Sequence, residues 1–271
     1  MLSVIIPASN EESYLGACLA ALLASDCPGA EVIVVANGCH DGTADVARRA
    51  LAAAPAGWQG QVIDLAAGSK PLALNAGDSA AQHGTRVYLD ADVIVSPGLM
   101  AALADVLAAS APRYASGTPV IPPARTAVTR AYARFWRGLP FNQTAAPGYG
   151  LFAVNAAGRA RWGAFPAIIS DDTFVRLQFT PEERVQVGQT YEWPMIEGFA
   201  ALTRVRRRQD AGVRELLALH PGILSREAKP RLGAARLAGM ALRDPLGFAT
   251  YAVVSLAVRA RPGGGGFTRG R

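Results

Sequence analysis

The sequence predicts an α/β fold in which a mostly parallel sheet is flanked by helices and followed by a C-terminal helical appendage. Two observations predict it. Short apolar runs rich in Val and Ile alternate with helix-length segments over residues 1–95, and 51% of the 271 residues are hydrophobic. Strands that alternate with helices of this length form parallel sheets. Such sheets bind ligands at the carboxyl ends of their strands, so the loops there are expected to carry the functional residues.

Four strands are predicted in this region, at residues 2–6, 31–36, 61–65 and 86–95. Pro7 ends the first strand, because proline cannot donate a hydrogen bond to a sheet. The helix that follows is indicated by apolar residues at helical spacing, namely Leu15, Cys18, Leu19, Leu22 and Leu23. A second helix is expected over residues 44–54, and a third opens within residues 68–77.

The fourth predicted strand carries two carboxylates, Asp90 and Asp92. Residues two apart on a strand point to the same side, so both carboxylates would face one ligand. Mg²⁺ and Mn²⁺ prefer such oxygen ligands, completed by substrate phosphates and water. The alternative is an N-cap, in which Asp92 or Ser96 begins the helix that contains Pro97 in its first turn.

Several classes of protein are disfavoured. The chain lacks G-x-G-x-x-G after the first strand and lacks G-x-x-x-x-G-K-[ST], which argues against a standard dinucleotide binder and a P-loop enzyme. Its three cysteines form no C-x-x-C pair, which argues against a disulfide framework or a zinc site. Residues 2–6 read as a core strand and not as a secretion signal, so we expect a cytoplasmic protein.

The charge is distributed unevenly along the chain. Residues 1–123 carry five Lys and Arg against eleven Asp and Glu, whereas the remainder carries 22 against 10. A basic C-terminal part suggests an anionic partner, either phospholipid or nucleic acid. No nucleic-acid-binding motif accompanies the charge, so nucleic acid is the less favoured partner.

Five stretches occur in an order that resembles family 2 glycosyltransferases of the GT-A fold. They are residues 4–7 (VIIP) with Asn10 and Glu11, residues 34–43 (VVANGCHDGT), residues 70–77 (KPLALNAG), the D-x-D at Asp90 and Asp92, and residues 148–152 (GYGLF) followed by 169–172 (ISDD). The resemblance runs from residue 2 to about residue 209. It implies a transferase that uses a nucleotide-diphosphate sugar and a hydroxyl acceptor, which could be a saccharide, a lipid-linked group or a small molecule.

The resemblance also implies a role for each donor-side residue. The base and ribose of the donor would be held by Pro7, Glu11 and the loop from Asn37 to Asp41. Asp90 and Asp92 would lie near the ribose and a divalent cation, Mn²⁺ or Mg²⁺. Lys70 would assist at the phosphates, although a solvated lysine at a helix start is an equal alternative.

On the acceptor side, the resemblance implies a general base at Asp171 or Asp172, and we favour Asp172. Asp171 beside it could raise the pKa of Asp172 by like-charge repulsion. A single direct displacement by such a base inverts the anomeric configuration. The alternative is that the pair only caps the helix containing Phe174.

Two departures from the family pattern matter. Asn37 stands where the family often has an aspartate, so the preferred nucleotide base is open. Residues 204–209 (RVRRRQ) replace the Q-x-x-R-W of processive members, which predicts single transfer and not polymer synthesis. Arg206, Arg207 or Arg208 could reach the diphosphate, or the three could form a solvated face near anionic lipid.

Aromatic residues suggest where an acceptor could bind. Residues 125–139 predict a helix with aromatic residues on one face, which could contact a membrane or a lipid-linked acceptor but more often packs in a core. Four further residues are candidates for the acceptor pocket: Trp162, Phe165, Tyr191 and Trp193.

The predicted division of the chain is a GT-A domain at residues 1–210, a helical appendage at 211–261 and a flexible tail at 262–271. Within the first domain, residues 1–123 form the nucleotide-sugar half and 124–210 the acceptor half. The run 245–258 has no charge but is shorter than the roughly twenty apolar residues of a membrane span. It is therefore expected to pack on the domain or to lie peripherally on the inner face of the cell membrane.

Three hypotheses of function follow from the sequence. The favoured one is an inverting, metal-dependent, non-processive glycosyltransferase. The second is a nucleotide-sugar-binding protein without activity, which the changes at Asn37 and residues 204–209 would suggest. The third is a basic nucleic-acid-binding module.

Overall fold

A computed structural model describes residues 1–27, 29–227 and 229–260. Within these residues, one mixed sheet forms the centre of the molecule. Its strands are β1 (Leu2–Ala8), β2 (Glu31–Asn37), β3 (Gln59–Leu65), β4 (Thr85–Leu89), β5 (Ile94–Val95), β6 (Tyr114–Val120), β7 (Leu151–Val154) and β8 (Arg184–Glu192). Their order across the sheet is β3-β2-β1-β4-β7-β6-β8-β5.

Ten α-helices lie in the described part of the chain. They are α1 (Glu12–Leu23), α2 (Thr43–Ala52), α3 (Lys70–Ala80), α4 (Leu99–Leu107), α5 (Ala127–Arg137), α6 (Ala156–Arg159), α7 (Asp171–Arg176), α8 (Phe199–Leu219), α9 (Ala234–Arg243) and α10 (Pro245–Ala260). Among the four helices of the first 107 residues, α1 confirms its predicted pattern, since its Leu15, Cys18 and Leu19 are buried against the sheet.

The first four strands in the spatial order, β3, β2, β1 and β4, are parallel, whereas β7 runs antiparallel between β4 and β6. Central β1 alternates its side chains between the two layers. Val4 and Ile6 pack in the core under α1, whereas Ile5 packs with Leu74 of α3 on the other face. The predicted α/β class and the mostly parallel sheet flanked by helices are confirmed.

The predicted strand over 86–95 is wrong in its second half. The strand β4 ends at Leu89, and residues 90–93 form a turn that is closed by a hydrogen bond from the Val93 N–H to the Asp90 carbonyl (3.1 Å). Asp90 and Asp92 therefore lie in a turn after the strand, and strand alternation does not aim their side chains. The short β5 follows and pairs with β8 at the far edge of the sheet.

The C-terminal helix α10 packs on α5, α8 and α9. Helix α10 lies against α5 and α8, with aromatic contacts from Tyr251 to Tyr132 and Phe135. The predicted domain boundary between residues 210 and 211 falls inside helix α8. The division into two domains there remains a prediction. The whole of the predicted tail, 262–271, and residue 261 lie outside the described residues. No helix within the described ranges is long and apolar enough to cross a membrane.

Candidate active site

The loops after β1 and β2 meet at one edge of the sheet because the two strands are parallel and adjacent. Glu11 donates its backbone N–H to the Thr43 hydroxyl (2.8 Å), which joins the start of α1 to the start of α2. Asp41 accepts from the backbone and hydroxyl of Thr43 and, at 3.3 Å, from the N–H of Glu12. Although partial burial opposes the shift, these hydrogen bonds lower the pKa of Asp41. Asp41 thus holds the two helix starts together as a carboxylate.

Asn37 lies at the end of β2 and is only 2% exposed. Its amide nitrogen donates to the carbonyls of Ala8 (2.9 Å) and Val35 (3.3 Å), and its amide oxygen accepts from the Ser69 N–H (3.0 Å). The side chain is therefore committed to backbone partners, and in this structure it does not present its amide to a nucleotide base. It ties together the end of β1 and the segment that leads into α3.

We expect Asn37→Asp to lower the free energy of unfolding by about 3 kcal/mol, because the carboxylate oxygen that replaces the amide nitrogen would be buried against two carbonyl oxygens. Chemical denaturation at neutral pH measures the change. Unchanged stability accompanied by an altered preference for the nucleotide base would contradict this role, since it would mean that the side chain faces the ligand.

The turn that carries Asp90 and Asp92 is held against the segment preceding β7. The Asp90 N–H donates to the Gly150 carbonyl (2.9 Å). Gly150 has φ +77°, and a Cβ at this position would collide with Cδ1 of Trp193. Only glycine fits this backbone, so the glycine stretch positions both the acidic turn and an aromatic neighbour.

Lys70 is the first residue of α3, which Ser69 caps by accepting from the Leu72 N–H. Its Nζ lies 2.9 Å from Oδ1 of Asp90 and 3.2 Å from Oδ2 of Asp171. The partly buried ammonium thus joins the acidic turn after β4 to the first residue of α7. The alternative of a solvated lysine is wrong, because the side chain lies between two carboxylates.

Burial and charge act in opposite directions within this group. Burial raises the pKa of Asp171 from 3.8 to about 6, against the lowering effect of Lys70 and with a further increase from the charges of Asp172 and Asp90. Although burial alone would lower it, the charges of Asp171 and Asp90 raise the pKa of Lys70.

Asp172 is the more accessible member of the pair. Its Oδ1 accepts from the backbone N–H of Thr173 (2.6 Å) and from the Thr173 hydroxyl (3.3 Å), which fixes the carboxylate at the start of α7. Asp171 is buried and ion-paired with Lys70. The two neighbouring carboxylates therefore differ in burial and in partners.

These groups line an open cleft of about 250 Å³, which we call the acidic cleft. Its charged residues are Lys70, Asp90, Asp92, Asp171, Asp172, Arg206 and Arg208. A narrower recess continues from it past Pro7 and is shared by Lys70, Asp90 and both carboxylates of α7. Neither Glu11 nor Asp41 lines the cleft or the recess.

Much of the lining of the acidic cleft is an aromatic and aliphatic wall. Tyr149 packs on Trp193 with ring centroids 4.6 Å apart, and Trp136 packs on both rings. Tyr132, Met195, Ile196 and Leu202 extend this wall. Of the four aromatic residues proposed for an acceptor pocket, only Trp193 lines the cleft. The other three, Trp162, Phe165 and Tyr191, are buried in the core, and the Tyr191 hydroxyl donates to the Tyr149 carbonyl.

The predicted arginine cluster divides between two environments. Arg206 and Arg208 line the acidic cleft, whereas Arg207 donates to the Ala257 carbonyl of α10. Successive residues on a helix point in different directions, so one run of arginines cannot serve a single ligand. Helix α5 is divided in the same way: Phe135 packs against α10, whereas Tyr132 and Trp136 also line the acidic cleft.

The acidic turn supplies only part of the coordination shell that a divalent cation needs. Asp90 and Asp92 offer hard oxygen ligands in the cleft, and Lys70 donates to Oδ1 of Asp90. Within the described ranges, no group of three His, Cys, Asp or Glu side chains is arranged to hold a metal. This donor set fits Mg²⁺ or Mn²⁺ bound with phosphate oxygens and water, because these ions commonly take one or two carboxylates and complete their shell from the substrate.

A family comparison assigns the class of protein. Residues 1–144 match the model of the glycosyltransferase like family 2, which is more than half of the chain. The chain therefore belongs to this family and is a glycosyltransferase of the GT-A fold. The matched region contains the loops after β1 and β2, Lys70 and the acidic turn, but not α7.

Solved structures show the same fold. A mannosyltransferase from Pyrobaculum calidifontis, in complex with GDP-Man and Mn²⁺, is 21% identical, covering 96% of this chain and 75% of its own, with a TM-score of 0.62. Glucosyl-3-phosphoglycerate synthase from Mycobacterium tuberculosis, solved with Mn²⁺, UDP and glucosyl-3-phosphoglycerate, is 20% identical over 86% of this chain and 82% of its own (TM-score 0.55). Mannosyl-3-phosphoglycerate synthase from Rubrobacter xylanophilus is 19% identical over 87% and 79% (TM-score 0.54). A search of curated proteins found no match.

Sequence reasoning missed two features of the site. It did not predict that Lys70 bridges two carboxylates, because residues 70, 90 and 171 are far apart in the chain. It assigned Trp136 to core packing and did not single out Tyr149. Tyr149 lies between two glycines with positive φ, Gly148 and Gly150, and this G-Y-G pattern was the available signal.

Proposed function

We propose that the acidic cleft transfers a sugar from a nucleotide-diphosphate donor to an acceptor hydroxyl by metal-assisted direct displacement, once per binding event. The observation that carries the proposal is the group formed by Lys70, Asp90 and Asp171, with Asp92 and Asp172 in the same cleft. A cation, carboxylates that suit a divalent metal and an accessible carboxylate are thereby assembled at the carboxyl edge of the sheet, where ligands of α/β sheets bind.

For the donor, we propose that Asp90 and Asp92 hold Mn²⁺ or Mg²⁺, which would offset the charge developing on the departing diphosphate. Arg206 and Arg208 line the same cleft and can approach phosphate oxygens; Arg207, which bonds α10, is not assigned to this role. Pro7 lies near Lys70 and Asp90, and we propose that the nucleoside binds on this side of the acidic turn. Glu11 and Asp41 would act at the edge of that position, and Asn37 would act by holding the loop.

For the acceptor, we propose Asp172 as the general base. The acceptor oxygen forms a bond to the anomeric carbon while the bond from that carbon to the diphosphate oxygen breaks, and the acceptor proton passes to Asp172. Thr173 engages Oδ1 of this carboxylate, so we assign Oδ2 to the acceptor. A single displacement of this kind inverts the anomeric configuration.

The aromatic wall supports an acceptor with an apolar face, because Trp136, Tyr149 and Trp193 lie together in the same cleft as the carboxylates. Sugar rings and lipid-linked groups both offer such a face, and both can stack on aromatic side chains. The absence of Q-x-x-R-W from residues 204–209 supports single transfer.

The test is thermal unfolding against UDP-, GDP-, dTDP- and CDP-sugars, each with and without Mn²⁺, followed by an assay for release of the nucleotide diphosphate. We expect one nucleotide to raise Tm when Mn²⁺ is present, since a ligand at a hundred times its Kd adds about 2.7 kcal/mol. Asp92→Asn should abolish the shift, whereas Asp105→Asn, an exposed aspartate on α4, should preserve it.

Two results would overturn the proposal. If no sugar nucleotide raises Tm, the cleft does not bind such donors. If one donor binds but its diphosphate is never released with any hydroxyl acceptor, the protein is better described as a nucleotide-sugar-binding protein without activity. The altered sequence at Asn37 and residues 204–209 is the reason for considering that alternative.

A further inference from the structure

Helix α10 is apolar on the side that faces solvent as well as on the side that packs. Its inner side buries Gly247, Val254 and Val258 against the rest of the molecule. Its outer side exposes Leu246, Val253 and Leu256, which are 65%, 54% and 64% exposed. A surface helix ordinarily has charged or polar residues on its outer face, so an apolar outer face indicates a partner.

The exposed residues form one stripe. Leu246, Val253 and Leu256 follow the spacing i, i+7 and i+10, and exposed Ala249 lies between them, so all four share one side of the helix. Leu242, near the end of α9, is 84% exposed just before this stripe begins. Residues 245–258 contain no charged side chain to interrupt it.

The charge around α10 identifies the partner. Five exposed basic residues lie between residues 229 and 260: Lys229, Arg231, Arg236, Arg243 and Arg259. The acidic residue in this segment, Asp244, is already paired with Arg134 at 3.2 Å. An apolar helix face bordered by unbalanced positive charge complements a surface that is apolar inside and anionic outside, which describes an anionic lipid bilayer.

We propose that the outer face of α10 docks on an anionic lipid surface, with the helix lying in the plane of the interface. The 16 residues of α10 are too few to span the hydrocarbon core, which requires about twenty. They are enough to insert the leucines while the flanking arginines contact lipid phosphates and carboxylates. This surface lies outside the acidic cleft, and the proposal does not depend on the sugar transfer.

Docking in this way would orient the cleft. Helix α10 packs on α5 and α8, which contribute Tyr132, Trp136 and Arg206 to the acidic cleft. A protein held by α10 would therefore carry the aromatic wall of its cleft close to the lipid surface.

The test is co-sedimentation of the full chain with vesicles of phosphatidylcholine alone or mixed equally with phosphatidylglycerol. We expect binding to the mixed vesicles that weakens as salt is raised, and at least tenfold weaker partitioning into phosphatidylcholine. Neutralising Arg243 and Arg259 with Arg243→Gln and Arg259→Gln should weaken binding about fivefold for each charge removed.

The apolar contribution is tested with the double variant Leu246→Asp and Leu256→Asp, which should reduce binding at least tenfold. Leu72→Asp provides the matched control. Leu72 is 53% exposed but belongs to α3, which packs on β1 and β2, so its replacement should leave binding unchanged. Circular dichroism and Tm establish that each variant folds, and both substituted leucines face solvent.

Three outcomes would overturn the proposal. The first is no binding to either vesicle. The second is equal loss of binding in the Leu72→Asp control. The third is a dimer of the wild type, seen by sedimentation velocity, that the Leu246→Asp and Leu256→Asp variant dissociates while vesicle binding is absent. In that case a second copy of the chain covers α10.

Discussion

Asp172→Asn is expected to lower kcat by a factor of about 10² to 10⁴ while leaving the affinity for the donor unchanged. An amide cannot accept the proton of the acceptor hydroxyl, and a positioned general base contributes a factor of this size. The substitution keeps the shape of the side chain and its hydrogen bond from the Thr173 N–H, so the start of α7 should be preserved. Initial rates of nucleotide diphosphate release at saturating donor measure the effect.

The comparison with Asp171→Asn separates the two neighbouring carboxylates. If Asp172 is the base, Asp171→Asn should reduce kcat less than Asp172→Asn does, because Asp171 is buried and acts through Lys70. The exposed Asp105→Asn variant should match the wild type. A kcat for Asp172→Asn within about threefold of wild type, or a larger loss in Asp171→Asn, would transfer the role of base away from Asp172.

Lys70→Met is expected to lower the free energy of unfolding by about 3 kcal/mol at pH 8, measured in EDTA. The substitution removes the cation that bridges Asp90 and Asp171 and leaves a buried carboxylate without this partner, which is the costly way to break a buried ion pair. Methionine retains much of the length and apolar stem of lysine, so lost packing is a minor part of the effect. Urea denaturation measures the change.

The stability lost in Lys70→Met should depend on pH, and the direction of this dependence follows from the pKa of Asp171. Its folded pKa of about 6 lies above its ordinary value of 3.8, so the folded state binds this proton more tightly than the unfolded state. The stability contributed by Asp171 is therefore greatest below about pH 4 and declines as the pH rises toward 6, by about 3 kcal/mol in total. The Lys70 charge lowers the pKa of Asp171, so Asp171 is protonated more readily in the Lys70→Met variant. The destabilisation caused by the substitution should therefore shrink as the pH is lowered from 8 to 5.

Two further variants isolate the charge effect. Lys70→Arg keeps a cation and should lose less stability at pH 8. Adding Asp171→Asn to Lys70→Met should recover most of the loss, because the unpaired carboxylate is gone. An equal loss at pH 5 and pH 8, or no recovery in the double variant, would mean that Lys70 stabilises the fold by packing and not by charge.

The sequence predicted the fold well where local pattern decides structure. The helical spacing of Leu15, Cys18 and Leu19 located α1, and the apolar runs of β1 and β2 located the centre of the sheet. It was less accurate at residues 90–93, where a turn interrupts an apolar run. That turn is fixed by the Gly150 carbonyl, a contact between residues about sixty positions apart, and periodicity carries no information about such a contact.

In the candidate site, too, local motifs could be predicted from the sequence and long-range packing could not. The D-x-D and the aspartate pair are short motifs, so they could be recognised in the sequence, and the structure brings them into one cleft. The burial of Asn37 and the separation of Arg207 from Arg206 depend on packing by β1, α3 and α10. The resemblance to the family therefore assigned Asn37 to a nucleotide base, although its amide is bonded to backbone.

The most direct measurement is the affinity of the donor's nucleotide diphosphate, determined by calorimetric titration with Mn²⁺ and with EDTA, for wild type, Asp92→Asn and Asp105→Asn. We expect Mn²⁺ to strengthen binding at least tenfold in wild type and Asp105→Asn, and to have no effect in Asp92→Asn. Binding that is equally strong in EDTA, or that Asp92→Asn leaves responsive to Mn²⁺, would contradict the assignment of the acidic cleft as a metal-dependent donor site.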